Sequence, residues 1–242
     1  MNYVILAAGL GSRFSREGEK NPKPLVSIMG QPMIGRLIKV LMNCNADQIY
    51  IVANSRMPEL VDYLDGLKAE GYPLHVRPIV SDNSYYSLSE ACKGVEGRFI
   101  AMTVDAIFPI AEFREYAAAV EKMPDSDVMM GLTRFVDDES PLWAKLAADG
   151  SEVVDYRYGG EPFAGDKIIS AGLYGLTPKA MEFVAAREKY PESLSDFQRI
   201  LAAESPLKVR IFDFSKALDV DCGHDREVAE AFLREINGEE YV

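Results

Sequence analysis

The sequence predicts an α/β fold, a mostly parallel sheet covered by helices on both faces. Three observations carry this expectation. Short apolar runs alternate with helical patterns through the first half of the chain. The first of those runs passes straight into a glycine-rich turn, Leu6-Ala7-Ala8-Gly9-Leu10-Gly11-Ser12-Arg13-Phe14. After about residue 134 the rhythm changes, and turns rather than helices separate the strands.

Taken in order, the apolar runs predict strands at Tyr3–Ala8, Gln48–Ala53, Leu74–Ile79, Arg98–Val104 and Val128–Thr133. Helices are expected between them, at Met33–Met42, Pro58–Glu70, Ser87–Lys93 and Ala111–Lys122. In the first helix Met33, Ile34, Leu37, Ile38, Leu41 and Met42 recur on one face, the stripe of a helix that packs on a sheet. Leu142–Ala148, Val153–Arg157 and Ile168–Leu176 then read as strands joined by turns such as Asp149-Gly150 and Gly159-Gly160, an antiparallel flap. Helices Pro178–Glu188 and Leu194–Ala203, a strand Lys208–Phe212 and a last helix His224–Ile236 complete the chain. With no Pro-, Ser- or Gly-rich linker and no repeat, residues 1–242 read as a single domain in which about 135–176 form a lobe on one side.

Composition narrows the function classes. The 242 residues are 48% hydrophobic and 26% charged, ordinary for a globular protein with a sizeable core. A net charge of −12 argues against a nucleic-acid partner, whose backbone demands a basic surface. Cys44, Cys92 and Cys222 are scattered and form no C-x-x-C pair, as expected of free thiols in a reducing compartment. No apolar stretch approaches the roughly 20 residues of a membrane span, and the N-terminus lacks the basic region of a signal peptide. A cytoplasmic protein without a membrane partner is expected; oligomeric state is not readable.

The glycine-rich turn is where chemistry enters. A strand that runs into such a turn and then meets Arg13 and Lys23 is a device for holding phosphates. Glycine lets backbone N–H groups approach an anion, Arg13 supplies a planar fork of donors, and Lys23 a compact charge. Arg16 and Lys20 add to this local basic cluster in an acidic chain. A P-loop would need Gly-Lys-Ser/Thr where Gly11-Ser12-Arg13 stands. A Rossmann dinucleotide fingerprint would need a small residue at Phe14 and an acid at the end of the second strand, where Ala53-Asn54 stands.

With the later Lys23-Pro24-Leu25, the turn resembles the L-A-A-G-x-G-x-R…K-P signature of the nucleotidyltransferases that activate sugar phosphates, choline phosphate and related acceptors. The resemblance is densest at residues 4–35, 99–108, 168–176 and 218–232. It implies a GT-A-like, Rossmann-like nucleotide-binding fold and transfer from an NTP to a small phosphorylated acceptor, a sugar 1-phosphate first, with release of pyrophosphate. It implies that Leu6, Ala7, Ala8, Gly9, Gly11, Ser12 and Arg13 wrap the triphosphate and that Arg13 and Lys23 neutralise it.

Mg²⁺ is the cofactor implied, and it needs hard oxygen ligands. Phe99–Val104 is an apolar run that ends in Asp105, where the resemblance puts a metal-binding Asp. Asp219 and Asp221 alternate in an extended segment, so their carboxylates point to one side about 7 Å apart, a repulsion that a cation would offset. The same family carries an acidic segment here, although Cys222-Gly223 replaces its commoner Thr-Pro. Asp225 suits the start of the last helix. Cys222 and His224 are too few for a zinc site, and neither His has a nucleophile elbow.

The segment Ser81–Ala91 joins a strand to a helix. Ser87 followed by Glu90 reads as a capping box, and the resemblance adds Asn83 and Ser87 on the nucleotide side. Ile169–Tyr174 resembles the family's A-G-x-Y strand, whose glycine, here Gly172, admits the acceptor; Lys167 could meet the acceptor phosphate. Trp143, Tyr156 and Tyr158 could cage a quaternary ammonium, though packing explains them as well. A choline-phosphate-type cytidylyltransferase is the nearest alternative. A glycosyltransferase, using Asp219-Val220-Asp221 as a D-x-D, and a catalytically silent nucleotide sensor are alternatives of other classes.

Overall fold

β1 (Asn2–Ala7) is buried along nearly its whole length because both of its faces are covered. Tyr3, Ile5 and Ala7 face one core layer and Val4, Leu6 and Ala8 the other, which is why the run reads as continuously apolar. A computed structural model describes residues 1–236 except 82, 138, 139, 166 and 188. Behind β1 come α1 (Ser12–Arg16), a 3-10 turn (Lys23–Leu25) and a small hairpin of β2 (Ser27–Ile28) and β3 (Gln31–Pro32). Next are α2 (Met33–Asn43), β4 (Gln48–Asn54), α3 (Pro58–Ala69), β5 (Leu74–Ile79) and α4 (Ser84–Ala91). β6 (Phe99–Thr103), β7 (Ala106–Ile107), α5 (Ile110–Lys122) and β8 (Asp127–Thr133) follow. The second half holds β9 (Leu142–Leu146), β10 (Val153–Tyr158), β11 (Ile169–Leu176), α6 (Pro178–Ala185), α7 (Leu194–Glu204), β12 (Lys208–Phe214), β13 (Leu218–Asp219) and α8 (Gly223–Glu235).

The main sheet runs β5-β4-β1-β6-β11-β8-β12. All of these strands point the same way except β11, which is antiparallel to β6 and β8. The expected α/β sheet with a parallel majority is therefore present. Helices α2, α3, α5 and α8 cover one face and α4, α6 and α7 the other. The hairpin β9–β10 joins the start of β11 through Ile169 and Trp143.

Two local departures from the sequence reading have clear causes. Ile168–Leu176, read with the flap, instead crosses the main sheet, and its apolar side chains are buried in both core layers. A register shift between Ser170 and Leu173 lets this strand accommodate Gly172, whose φ is 69°. The helix α4 starts at Ser84, not Ser87: the Asn83 carboxamide accepts the Tyr86 N–H at 2.7 Å and caps it. Ser87 is consequently a buried residue inside the first turns, so the capping box expected for it does not form. Glu188, expected to end α6, lies outside the described residues.

Because the strands are parallel, the C-terminal ends of β1, β4, β6, β8 and β12 share one edge of the sheet with the beginning of β11. Open α/β sheets place ligands at that edge.

Candidate active site

The turn after β1 is shaped by a contact with a residue 12 positions downstream. Gly11 has φ 63°, and a Cβ there would lie 2.5 Å from Lys23 Cβ, so glycine is needed both for the backbone and for the passage of Lys23 beneath the loop. Gly9, in contrast, faces open space. The loop is also held from β4. The buried side chain of Asn54 donates to the Ala8 carbonyl at 2.9 Å and accepts from the Arg56 N–H at 3.0 Å. Asn54 is a functional residue the sequence reading missed; a buried-type amide ending an apolar strand was the available signal.

Lys23 runs to the centre of the site. Its ammonium donates to both Asp105 and Asp221, and Arg13 donates to the other oxygen of Asp221 at 3.1 Å. Asp105 follows β6, whose end is tied to β1 by the Val104 N–H donating to the Leu6 carbonyl at 3.2 Å. Asp221 is brought alongside by β13, which pairs with β7 so that Asp219 stands opposite Ala106. The Val220 N–H donates to the Asp105 carbonyl at 3.2 Å and completes the junction. Asp225 then accepts the N–H groups of Asp221 at 2.9 Å and Cys222 at 3.0 Å, as a cap on α8. Glu17 of α1 accepts the Gly223 N–H at 2.7 Å, tying the loop's helix to the same junction.

The electrostatics follow from burial. Burial opposes charge on Lys23, but Asp105 and Asp221 outweigh it and hold its pKa above the ordinary value. Burial likewise opposes charge on Asp105, and Lys23 outweighs it, keeping that pKa below the ordinary range. The Thr103 hydroxyl beside it favours the carboxylate too, although neither it nor Asp105 Oδ1 meets a partner at full hydrogen-bond geometry. Lys23 is therefore ammonium and Asp105 carboxylate at neutral pH.

Two cavities flank this ion-paired group. One, of about 350 Å³, is lined by Leu6, Ala8, Gly9, Asn83, Ser87 and the pair Lys23–Asp105. The predicted nucleotide-side residues Asn83 and Ser87 thus face the glycine turn. Ser81 and Ser87 hydroxyls share a hydrogen bond at 2.6 Å there. The second cavity, about 590 Å³, has Arg13, Asp219 and Asp221 in its wall, with Phe135 and Ile169–Ala171. Gly172 stands at its edge: a Cβ there would meet Thr103 Oγ1 at 2.7 Å and Asp219 Oδ1 at 3.3 Å.

Other predicted residues are not gathered. Ala7 is buried in β1, Ser12 starts α1 exposed, and Lys167 is exposed and lines neither cavity. Trp143 and Tyr156 are core residues, with the Trp143 indole N–H donating to the Gly160 carbonyl at 2.9 Å, whereas Tyr158 points to solvent. They form no cage. Among the described residues, no group of three or more His, Cys, Asp or Glu side chains is placed to hold a metal ion.

Comparison with known proteins agrees with this geometry. Residues 3–171 match the family described as the MobA-like NTP transferase domain. CMP-5'-(3-aminopropyl)phosphonate synthase of Streptomyces rubellomurinus is 30% identical over 207 residues, covering 83% of this chain and 31% of that protein. Bifunctional protein GlmU of Methanocaldococcus jannaschii is 23% identical over 213 residues, 86% of this chain and 48% of that one. A 2-aminoethylphosphonate cytidylyltransferase of Lancefieldella rimae is 36% identical over a shorter stretch of 84 residues, 35% of this chain and 31% of that protein. The chain spans less than half the length of each of these relatives. Among solved structures, the inositol-1-phosphate CTP transferase of T. maritima superposes with a TM-score of 0.79 at 19% identity, covering 98% of this chain and 96% of that one. A likeness at that identity speaks to fold alone, but the family match covers well over half of the chain. The protein belongs to the MobA-like NTP transferase family.

Proposed function

We propose that the protein transfers a nucleotidyl group from an NTP to a small acceptor that carries a phosphate or phosphonate, releasing pyrophosphate. One observation carries this reading. Lys23 joins Asp105 to Asp221 at the junction of two cavities, one bounded by the glycine turn and one open to a second ligand. In this reading the NTP lies against Leu6–Arg13 with Asn83 and Ser87 beside it, and the acceptor enters between Arg13 and Gly172.

The acceptor's anionic oxygen attacks the α-phosphorus. A new P–O bond forms, the bond from the α-phosphorus to the bridging oxygen breaks, and pyrophosphate leaves with the electron pair. No proton has to be removed from the nucleophile, so no general base is required. Arg13 and Lys23 stabilise charge on the leaving group, and catalysis rests on positioning and preorganised charge.

Mg²⁺ suits the donor set. Asp105 and Asp221 already converge on one cation, Lys23, and Asp105 Oδ1 is a buried oxygen without a hydrogen-bond partner. One or two carboxylates, completed by phosphate and water, are an ordinary Mg²⁺ site. Asp105 and Asp221 would hold the ion, with Asp219 next to them. The metal would supply a Lewis acid for the α-phosphate.

Sugar 1-phosphates, the acceptors that the sequence suggests first, and the phosphonates and choline phosphate named for relatives all present the required oxygen. Residues 1–242 would work as one domain in the cytoplasm. No helix among the described residues is long and apolar enough to cross a membrane. The test is pyrophosphate release from each common NTP, with Mg²⁺, against a panel of phosphorylated acceptors. Release that depends on both substrates is expected. NDP-sugar consumption without pyrophosphate would indicate a glycosyltransferase, and NTP binding without release a sensor.

A further inference from the structure

The larger cavity carries information about the acceptor, on the basis of the nucleotidyl transfer proposed above. We infer that the acceptor is a zwitterion: a short-chain primary amine that carries a phosphate or a phosphonate.

The first ground is the charge of the cavity wall. Its cationic side chains are Arg13 and Arg16 of α1, whereas its carboxylates are those of Glu17, Asp137, Asp219, Asp221 and Asp225. Three of these acids are committed to the architecture. Asp221 pairs with Lys23 and Arg13, Asp225 caps α8, and Glu17 holds the Gly223 N–H. Asp137 and Asp219 take no part in those arrangements. An acceptor that is anionic throughout would enter this wall against a surplus of like charge. An ammonium group lowers the ligand's own charge and supplies these carboxylates with donors.

The second ground is shape. Gly172, in a left-handed conformation, lacks the Cβ that would lie 3.3 Å from Asp219 Oδ1, so this carboxylate is left open on the β11 side. An acceptor with its anionic end beside Arg13 extends along the cavity toward Phe135 and Asp137, past the end of β8.

The third ground selects among amines. Quaternary ammonium groups are held by aromatic faces, while a primary ammonium donates hydrogen bonds to carboxylates. Phe135 is the aromatic residue of this wall, and its ring already carries the protein's own Lys216, 4.4 Å from the centroid. The Phe232 ring carries the same ammonium at 4.5 Å. Phe135 therefore has a cation of its own, whereas the carboxylates beside it are suited to N–H donors.

The experiment compares the full chain on 2-aminoethylphosphonate, O-phosphoethanolamine, ethylphosphonate, phosphocholine and glucose 1-phosphate, each with Mg²⁺ and the NTP that supports pyrophosphate release. Both amines should exceed ethylphosphonate in kcat/KM by at least ~10-fold, the order expected for one charged contact in an open site. Their ratio distinguishes phosphonate from phosphate ester. Asp137→Asn should reduce the amine-to-ethylphosphonate ratio several-fold. A higher kcat/KM for glucose 1-phosphate or phosphocholine than for both amines overturns the inference while upholding nucleotidyl transfer, as does an Asp137→Asn ratio equal to wild type. Should no pair release pyrophosphate, the nucleotidyl transfer reading fails. Calorimetric binding of 2-aminoethylphosphonate against ethylphosphonate then decides the inference: preference for the amine supports it, and equal or absent binding overturns it.

Discussion

The Lys23 ammonium donates at once to Asp105, 82 residues away in sequence, and to Asp221, 198 residues away. With the Lys23 and Asp105 side chains only 9% and 14% exposed, this is a nearly dry ion pair, and it ties the phosphate turn to the ends of two later strands. Removing one partner of such a pair leaves a buried charge without compensation. Lys23→Ala should therefore destabilise the fold by about 3–5 kcal/mol in urea titration. Pyrophosphate release by the folded fraction should fall by about 10²–10³-fold. Normal turnover by this variant would remove Lys23 from the mechanism.

The pH dependence follows from the same pair. Asp105 titrates below its ordinary 3.8, so its share of stability is complete above that pH and is lost as pH falls through the lower folded value. Lys23 titrates above its ordinary 10.5, so its share is complete below that pH and is lost as pH rises through the higher folded value. In Lys23→Met, burial of Asp105 goes unopposed by the ammonium and its pKa rises. The stability gap between wild type and this variant should accordingly shrink on acidification from pH 8 to pH 5. A gap that widens would contradict the assignment.

Asp105→Asn should retain the fold, since the amide nearly matches the carboxylate in size, yet lose pyrophosphate release. Chelation of Mg²⁺ from the wild type should have the same effect, reversible on adding the metal back. An Asn variant that keeps its full rate would mean that the metal is held elsewhere.

Asn54 reports on the turn without touching a reacting atom. Replacing it by Leu strands the buried Arg56 N–H and the Ala8 carbonyl, at a cost of about 1–3 kcal/mol. The KM for NTP should rise several-fold with a smaller change in kcat, because the loop is loosened while Lys23 and Asp105 remain in place. A variant with unchanged NTP KM and only a lower Tm would reduce Asn54 to a structural role.

Gly11→Ala tests the packing of the turn on Lys23. The left-handed backbone costs a non-glycine residue about 1–2 kcal/mol, and the added Cβ would meet Lys23 Cβ at 2.5 Å. Loss of both stability and turnover is expected. Gly9→Ala, which meets nothing within 4 Å, should be far milder in thermal melts.

Elements with a strong local pattern were legible in the chain. The stripe of α2, the apolar runs of β1, β4 and β6 and the glycine turn follow from periodicity and side-chain chemistry, which act over a few residues. The start of α4 was misjudged because Asn83 and Ser87 are both able to cap, and only the backbone shows that Asn83 does. β11 was grouped with the flap because an antiparallel strand inserted among parallel ones carries the same apolar signature as its neighbours.

By itself, the sequence determined that a glycine turn with Arg13 and Lys23 follows the first strand of an α/β sheet and that Asp105, Asp219 and Asp221 stand at later strand ends. Only the tertiary structure decided that Lys23 bridges Asp105 and Asp221, that Asn54 holds Ala8, and that the cavity beyond Arg13 is walled by carboxylates. The physical reason is range: propensity and periodicity are local, whereas these contacts join residues tens to hundreds of positions apart and exist only once the parallel strands bring their ends to one edge.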